Sequence, residues 1–183
     1  VACMLLYILF CEPDEGKQIV SSATTKEQAK LVWNDAIAMI KKNPDLAKAV
    51  NITVSEIRFS PTNSFFKPVA SDSNTLDGYD LSAFCLDELH EVRDTNLWDV
   101  LRDSQIARSE PLALITTTFG THRGGIFDIK YEQYEMIING YEDENGLKDD
   151  TILPIIYELD SEEEWIDPEA WQKSNPSMGV IFE

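Results

Sequence analysis

The sequence predicts an α/β fold in which a mostly parallel sheet is flanked by helices. Continuous apolar runs, typical of strands buried on both faces, alternate along the chain with amphipathic stretches of helical period. This alternation favours crossover connections, which join parallel strands within one sheet. The chain of 183 residues is long enough for one full domain. We expect a domain at residues 1–160 and a linker at residues 161–183.

The elements follow from apolar spacing and from helix start and stop signals. Thr24 or Thr25 is the expected N-cap of the second helix, which Asn43 and Pro44 end. We predict helices at residues 1–10, 24–43, 95–108 and 126–141, and strands at residues 17–23, 52–59, 64–69, 81–87, 111–118 and 152–159. The second and third strands form a β-hairpin. Pro68 is expected to place its strand at a sheet edge or to end it, because proline has no amide hydrogen to donate.

Composition and charge argue against two kinds of partner. No apolar run approaches the roughly 20 residues that span a bilayer, and residues 1–11 lack the basic flank and cleavage site of a signal peptide. The formal charge of −18 argues against a grip on a phosphate backbone, which comes from Lys and Arg. Much of the acidic character lies between Tyr141 and Glu169. We therefore expect no membrane contact, and no binding of a nucleic-acid backbone by this chain alone.

The cysteines indicate a reducing compartment. Cys3, Cys11 and Cys85 show no metal-ligand spacing, and their number is odd. Each lies in apolar surroundings, where a free thiol behaves as a small hydrophobic group. We expect buried thiols, no disulfide and no zinc site.

The most informative stretch is an acid pair at the end of a predicted buried strand. The apolar run at residues 81–86 ends abruptly in Asp87 and Glu88. Open α/β sheets bind ligands at the carboxyl ends of their strands, so both carboxylates would face a cleft. In a nucleotide hydrolase this is the Walker B arrangement, in which the first acid holds Mg²⁺ and the second positions and polarises the attacking water. A solvated strand exit is the alternative that the pair leaves open.

A neighbouring strand is predicted to end in hydroxyl groups. The next apolar run ends in a threonine cluster followed by Gly120. Because the strands are parallel, this tip should lie beside Asp87 and Glu88. Thr117 and Thr118 can donate to a phosphate oxygen or to water, and Gly120 lets the backbone turn sharply. The alternative is that the threonines simply suit β structure and the glycine ends the strand.

Beyond the two strand tips, the order of several short segments is specific. They are SATTKEQAK at 22–30, LDGYD at 76–80, LDELHE at 86–91, ARSEP at 107–111, TTTFG at 116–120, WIDPEAW at 165–171 and NP at 175–176. In this order and spacing they resemble the large terminase subunit of tailed bacteriophages, of the HK97-like branch. The resemblance covers nearly the whole chain.

The resemblance implies a fold, a reaction and roles for individual residues. The fold would be that of P-loop NTPases of the additional-strand, RecA-like class. Asp87 would be the Walker B metal ligand and Glu88 the catalytic carboxylate. Thr117, Thr118 and Gly120 would belong to the coupling motif that links ATP hydrolysis to DNA translocation. The implied cofactors are ATP and Mg²⁺.

The resemblance also implies an assembly, a DNA-packaging motor in the cytoplasm of the bacterial host. In that family a homo-oligomeric ring at the portal protein, with the small terminase subunit, packages double-stranded DNA into the capsid. Residues 1–160 would be a partial ATPase, or motor, domain, and residues 161–183 a linker toward a nuclease domain.

Two departures from the family pattern matter. The family carries a glycine-rich phosphate loop ending in Lys-Ser or Lys-Thr before its first helix; this sequence has none, so no residue is assigned to nucleotide binding. The family's endonuclease domain, where clustered acids hold metal ions, would follow residue 183. We therefore expect a fragment of the ATPase domain, without its first strand and phosphate loop, that alone neither hydrolyses ATP nor cuts DNA.

Two questions about the site stay open in the sequence. Arg93, Arg102, Arg108 and Arg123 are candidates for an arginine that stabilises transition-state charge, because the loop at residues 77–78 supplies no cation. His90 directly follows the acid pair. With only two histidines a metal site there is disfavoured, and we expect a helix-start or loop role.

Two other functions are compatible with the same sheet. The parent protein could be another P-loop motor such as a helicase, which would require a second RecA-like domain downstream. The chain could also be a non-catalytic prophage remnant or binding module that kept the fold without the phosphate loop.

Overall fold

The computed structural model contains a mixed six-stranded sheet flanked by helices. It describes residues 1–70, 76, 78–93, 95–121, 123–140 and 148–180. The chain divides into two units, residues 1–130 and 131–183, and the division falls within the fifth helix. All six strands belong to the first unit. Within the described ranges, no helix combines the length and apolarity needed to cross a bilayer.

The sheet order is β2-β3-β4-β1-β5-β6. Strands β4, β1, β5 and β6 pair in parallel, whereas β3 pairs antiparallel with both of its neighbours, β2 and β4. The elements are α1 (Ala2–Cys11), β1 (Gln18–Ala23), α2 (Lys26–Lys42), α3 (Pro44–Ala49), β2 (Val50–Ile52), β3 (Ile57–Phe59), β4 (Ser64–Ala70), β5 (Leu81–Asp87), α4 (Asn96–Asp103), β6 (Leu112–Thr116), α5 (Ile126–Gly140) and α6 (Trp171–Ser174). Short 3₁₀ turns cover Ser60–Thr62, Leu89–Glu91 and Glu162–Ile166. The predicted α/β fold with a mostly parallel sheet is confirmed.

Helices α1 and α2 bury one face of the sheet. Thr25 caps α2 as predicted, since its hydroxyl oxygen accepts from the Gln28 amide at 3.2 Å. The apolar stripe of α2, which includes Trp33 and Ile40, packs with apolar residues of α1 and with strand residues such as Phe66. Burial of this stripe against the sheet is the main source of stability for an amphipathic helix.

The predicted hairpin has a different arrangement from the one expected. Residues 52–59 do not form one strand, because the Thr53 amide bonds the Glu56 carbonyl at 2.9 Å and turns the chain between β2 and β3. Strand β4 is internal, between β3 and β1, and it continues past Pro68 to Ala70, so the expectation of an edge position or a strand end at Pro68 is wrong. The proline is tolerated because the last β3 partner of β4 is opposite Phe66.

Several other predicted elements are shorter or absent. Helix α4 ends at Asp103 rather than at residue 108, and the following backbone serves the sheet instead: the Ser104 carbonyl accepts from the Leu81 amide at 2.8 Å. Strand β6 stops at Thr116 because its neighbour β5 ends opposite, at Asp87. The predicted strand at residues 152–159 does not form.

The structure corrects the expected burial of the thiols. Cys85 is buried in β5, whereas Cys3 and Cys11 are exposed on α1. They lie on the solvent side of a helix that buries Leu5, Leu6 and Leu9 instead. Some expectations fall outside the described residues, namely those for Asp77, His122, Glu142, Asp143 and Glu144.

Candidate active site

Two parallel strands end side by side at the predicted acid pair. Asp87, the last residue of β5, is the register partner of Thr116, the last residue of β6. The Thr116 hydroxyl donates to Asp87 Oδ1 at 2.6 Å, and the Glu88 amide donates to the same oxygen at 3.2 Å. Both hydrogen bonds use Oδ1, so among the described residues Oδ2 is the oxygen of this carboxylate left for a cation. Thr116 therefore orients the residue expected to bind Mg²⁺.

Glu88 occupies an uncommon backbone conformation. Its φ of 57° and ψ of 52° lie in the left-handed region, which a side chain with a Cβ atom rarely adopts. The side chain is 36% exposed, yet its Oε2 is shielded from solvent and makes no hydrogen bond of good geometry to any described residue. The nearest basic atom is His90 Nδ1 at 3.2 Å, within ion-pair range but poorly aligned for a hydrogen bond. Such strained residues cluster at functional sites.

The hydroxyl tip lies against His90. The backbone amide of His90 donates to Thr117 Oγ1 at 3.1 Å, and Nδ1 of its ring lies 3.0 Å from the same oxygen. Thr118 Oγ1 is 3.5 Å from Nδ1. Thr117 and Thr118 are exposed, so both hydroxyl groups remain accessible to a ligand. The structure thus brings Asp87 and Glu88 next to the two threonines predicted to accompany them.

Gly120 is required for a close approach rather than for a sharp turn. A Cβ atom at this position would lie 2.7 Å from Cβ and from Cδ2 of His90, closer than real Cβ contacts. Gly120 is not among the residues with positive φ, so the expectation that a glycine is needed here for a sharp backbone turn is wrong. The glycine is instead the surface on which the His90 ring rests.

The four candidate arginines lie at different places. Arg108 donates to the carbonyls of Gly16 and Asp80, which precede β1 and β5, so it lies at the amino ends of the strands, away from the acid pair. Arg102 bonds Gln105 Oε1 at 3.0 Å. Arg93 and Arg123 share a shallow cavity with His90. Of the four, these two lie near the site.

Sequence reasoning missed the contributions of His90 and Thr116. His90 does lie in a short 3₁₀ turn, Leu89–Glu91, but its ring also bridges the two strand tips. No local signal marks this role, because Thr117 is 27 residues away in the sequence. Thr116 could have been found, since a hydroxyl residue ending a strand parallel to an acid-tipped strand is its natural hydrogen-bond partner.

The described residues fit one part of a magnesium–nucleotide site. Asp87 presents a carboxylate beside a hydroxyl group, and Mg²⁺ usually takes one or two protein carboxylates and completes its shell with water and phosphate oxygens. No three His, Cys, Asp or Glu residues cluster to hold a metal in the part of the chain that the structure describes. The sequence contains no glycine-rich loop that could cradle phosphates. The described residues therefore fit the part of such a site that supplies carboxylates, and not the part that binds the phosphates.

Comparison with known proteins gives a consistent result. The family model for the terminase large subunit ATPase domain matches residues 1–136. The large terminase subunit of Enterobacteria phage HK97 is 27% identical over 182 residues, which are 97% of this chain and 34% of that protein. Protein YmfN of Escherichia coli strain K12 is 32% identical over 105 residues, or 57% of this chain and 22% of that protein. The chain thus spans about a third and about a fifth of the lengths of these relatives.

Solved structures agree in fold. The HK97 bacteriophage large terminase superposes with a TM-score of 0.80 at 27% identity, covering 100% of this chain and 37% of that one. The large terminase ATPase domain of Thermus phage P74-26 superposes with a TM-score of 0.57 at 19% identity, covering 81% and 61%. The second comparison shows the fold alone. Because the family model matches 136 of the 183 residues, the chain belongs to the family of terminase large subunit ATPase domains.

Proposed function

We propose that this chain forms the acid and coupling side of the ATPase site in a phage terminase large subunit, which powers the packaging of double-stranded DNA into the capsid. The observation that carries the proposal is the pair of adjacent strand ends. There, Thr116 orients Asp87, and Glu88 is held in a left-handed conformation one residue later. Family membership favours a terminase over a helicase with the same sheet.

Each acid has a distinct role in this proposal. Asp87 Oδ2 would hold Mg²⁺, which when bound neutralises phosphate charge. Glu88 would orient and polarise the attacking water. Its Oε2 makes no hydrogen bond within the described residues but is shielded from solvent, so the carboxylate would turn outward to accept a hydrogen bond from a water molecule. The left-handed backbone fixes the direction in which this carboxylate leaves the strand.

Thr117, Thr118 and Gly120 would form the coupling segment, which links the state of the nucleotide to DNA translocation. The two hydroxyl groups are exposed beside Glu88, where a phosphate oxygen or a water molecule could reach them. Gly120 holds the end of this segment against His90. A change at the phosphate could therefore be passed to the loop beyond β6.

ATP binding also needs a phosphate loop, which these residues do not contain. We therefore propose that the 183 residues alone release no phosphate from ATP. The endonuclease activity implied by the resemblance belongs to a separate domain in the family, so it is assigned to other parts of the whole protein. Residues 1–160 would be the motor portion and residues 161–183 the linker.

The proposed partners follow from the packaging role and from the charge. Double-stranded DNA would be held by other parts of the whole protein, because this chain carries a net charge of −18. The portal protein, the small terminase subunit and further copies in a ring are the proposed protein partners. The proposed location is the cytoplasm of the bacterial host.

A chimera tests the proposal. This chain would replace the aligned region of the HK97 large terminase, and phosphate release from ATP would be measured with and without Mg²⁺. We expect magnesium-dependent turnover by the chimera and none by the 183-residue chain. Turnover by the chain alone would contradict the assignment of the phosphate loop to other residues. A folded chimera without turnover would instead support a non-catalytic remnant.

A further inference from the structure

We propose that His90 is a positioning residue that makes the orientation of the Glu88 carboxylate depend on the coupling segment. The proposal rests on the proposed function for its meaning in catalysis, but its geometry can be tested without ATP. The essential feature is that one ring nitrogen, Nδ1, lies near two competing partners. They are Glu88 Oε2 at 3.2 Å and Thr117 Oγ1 at 3.0 Å.

The ring of His90 is held in place from several sides. Its side chain is only 14% exposed, and Gly120 packs against Cβ, Cγ and Cδ2. Nε2 lies 3.3 Å from Glu91 Oε1. The backbone amide bonds Thr117 Oγ1 whichever ring nitrogen carries the proton. The ring therefore cannot leave Thr117 without displacing the coupling segment.

The single position at Nδ1 forces a choice between partners. When Nδ1 carries a hydrogen, it can donate to the Thr117 hydroxyl, or to the Glu88 carboxylate once that side chain turns into line with the N–H bond. When Nδ1 is unprotonated, it can only accept, so a threonine hydroxyl is its partner and Glu88 Oε2 has no donor. The Thr117 hydroxyl has a choice of its own, because its hydrogen can bond the Thr118 carbonyl at 3.0 Å instead.

Movement of the coupling segment would therefore change how Glu88 is held. If Thr117 turns its hydroxyl toward the Thr118 carbonyl, Nδ1 is free to restrain Glu88. If Thr117 donates to Nδ1, the carboxylate is released toward water. His90 in this way connects Glu88 with Thr117, two residues that make no direct hydrogen bond with each other in the described structure.

Nuclear magnetic resonance of the histidine side chains tests the geometry in the chain as it is. The sequence has only two histidines, so few ¹⁵N ring signals need to be assigned. Thr117→Val removes the hydroxyl at constant shape, Thr117→Ser keeps it, and Glu88→Gln removes the carboxylate charge. All three substitutions are at solvent-accessible side chains, which limits the risk of unfolding.

We expect Thr117→Val to shift the Nδ1 signal of His90 and Thr117→Ser to restore it. The shift caused by Glu88→Gln should differ between the wild-type and Thr117→Val backgrounds. Equal shifts in both backgrounds, or no response of His90 to Thr117→Val, would overturn the proposal. Neither result depends on ATP hydrolysis, so a failure here is distinct from a failure of the proposed function.

The chimera adds a catalytic readout with a matched pair of variants. His90→Asn places an amide near the position of Nδ1, whereas His90→Gln places it near Nε2. We expect His90→Gln to lower kcat about 10- to 100-fold with little change in KM, as a displaced catalytic group does. His90→Asn should restore most of this loss. Equal losses for the two variants would overturn the positioning role.

Discussion

The two ends of the parallel strands differ in how completely their charged side chains are hydrogen-bonded. At the amino ends, Arg108 makes four hydrogen bonds, to the Gly16 carbonyl and to the backbone and side chain of Asp80. Lys17 is buried there, and its ammonium group donates to the Glu12 carbonyl. At the carboxyl ends, Glu88 is strained and its Oε2 has no hydrogen bond.

This difference indicates that the two edges of the sheet have different roles, stabilisation of the fold at the amino edge and ligand binding at the carboxyl edge. The hydrogen-bonded charged groups at the amino ends contribute stability, because a buried donor or acceptor left without a partner costs free energy. At the carboxyl ends, the strained backbone and the unpaired carboxylate oxygen of Glu88 lower stability, as is typical of residues kept for a ligand. Substitutions at the amino edge should therefore change unfolding, and substitutions at the carboxyl edge should change activity.

The largest expected effect on stability is at Arg108. Arg108→Ala would leave the carbonyls of Gly16 and Asp80 without their partner in a site where the arginine side chain is only 15% exposed. We expect the free energy of unfolding to fall by about 2–3 kcal/mol, measured by urea denaturation. The matched control is Arg93→Ala at the opposite edge, which is exposed and should change stability by less than about 0.5 kcal/mol. Equal effects at the two positions would contradict the comparison.

The next effect concerns Cys85, which lies on β5 between the two edges. Burial, with a smaller contribution from the charge of Asp87, raises the pKa of this thiol from 9.0 to about 11. Between these values the unfolded chain loses the proton while the folded chain keeps it, so this thiol's contribution to stability is lost as the pH rises from 9.0 to about 11. The loss should reach about 2–3 kcal/mol.

Urea denaturation of wild type and Cys85→Ala across this pH range measures that contribution. The variant should show a smaller loss of stability with rising pH than the wild type. Cys11→Ala, which alters an exposed thiol, is the control and should retain the wild-type slope. Identical slopes for wild type and Cys85→Ala would show that the thiol is not protected by the sheet.

The smallest effect, and one of opposite sign, is expected at Glu88. Asparagine tolerates the left-handed region better than glutamate, so Glu88→Asn should raise the free energy of unfolding by about 0.5–1 kcal/mol. Glu91→Asn is the control, since the 3₁₀ turn that contains Glu91 needs no left-handed residue. A loss of stability in Glu88→Asn would show that the conformation is not strained.

The sequence was sufficient for the strands that carry the site. Continuous apolar runs revealed β5 and β6, and parallel packing then placed Asp87 next to the threonines. The edge strands were harder, because the turn at Thr53–Glu56 lies inside an alternating pattern that resembles one longer strand. The preference of proline for edge strands also gave a wrong prediction. Pro68 lies in the internal strand β4, at a position beyond the last residue of β4 that pairs with β3.

The contacts made by His90 and Arg108 could not be read from the sequence. Each depends on the register of strands far apart in the chain: His90 meets Thr117, and Arg108 reaches Gly16 across 92 residues. From the sequence, Arg108 just before β6 was a candidate for stabilising transition-state charge. Only the direction of the strands shows that Arg108 lies at the amino edge of the sheet, away from the acid pair.

The most direct test of the division between the two edges is Glu88→Gln in the HK97 chimera, with Glu110→Gln, at an exposed acid just before β6, as the matched control. Both kcat for ATP hydrolysis and the free energy of unfolding would be measured. We predict that Glu88→Gln lowers kcat by about 10²- to 10⁴-fold without loss of stability, as expected when a group that orients the attacking water is removed, while Glu110→Gln keeps kcat within about threefold. Retention of wild-type kcat by Glu88→Gln would contradict the assignment of catalysis to the carboxyl edge.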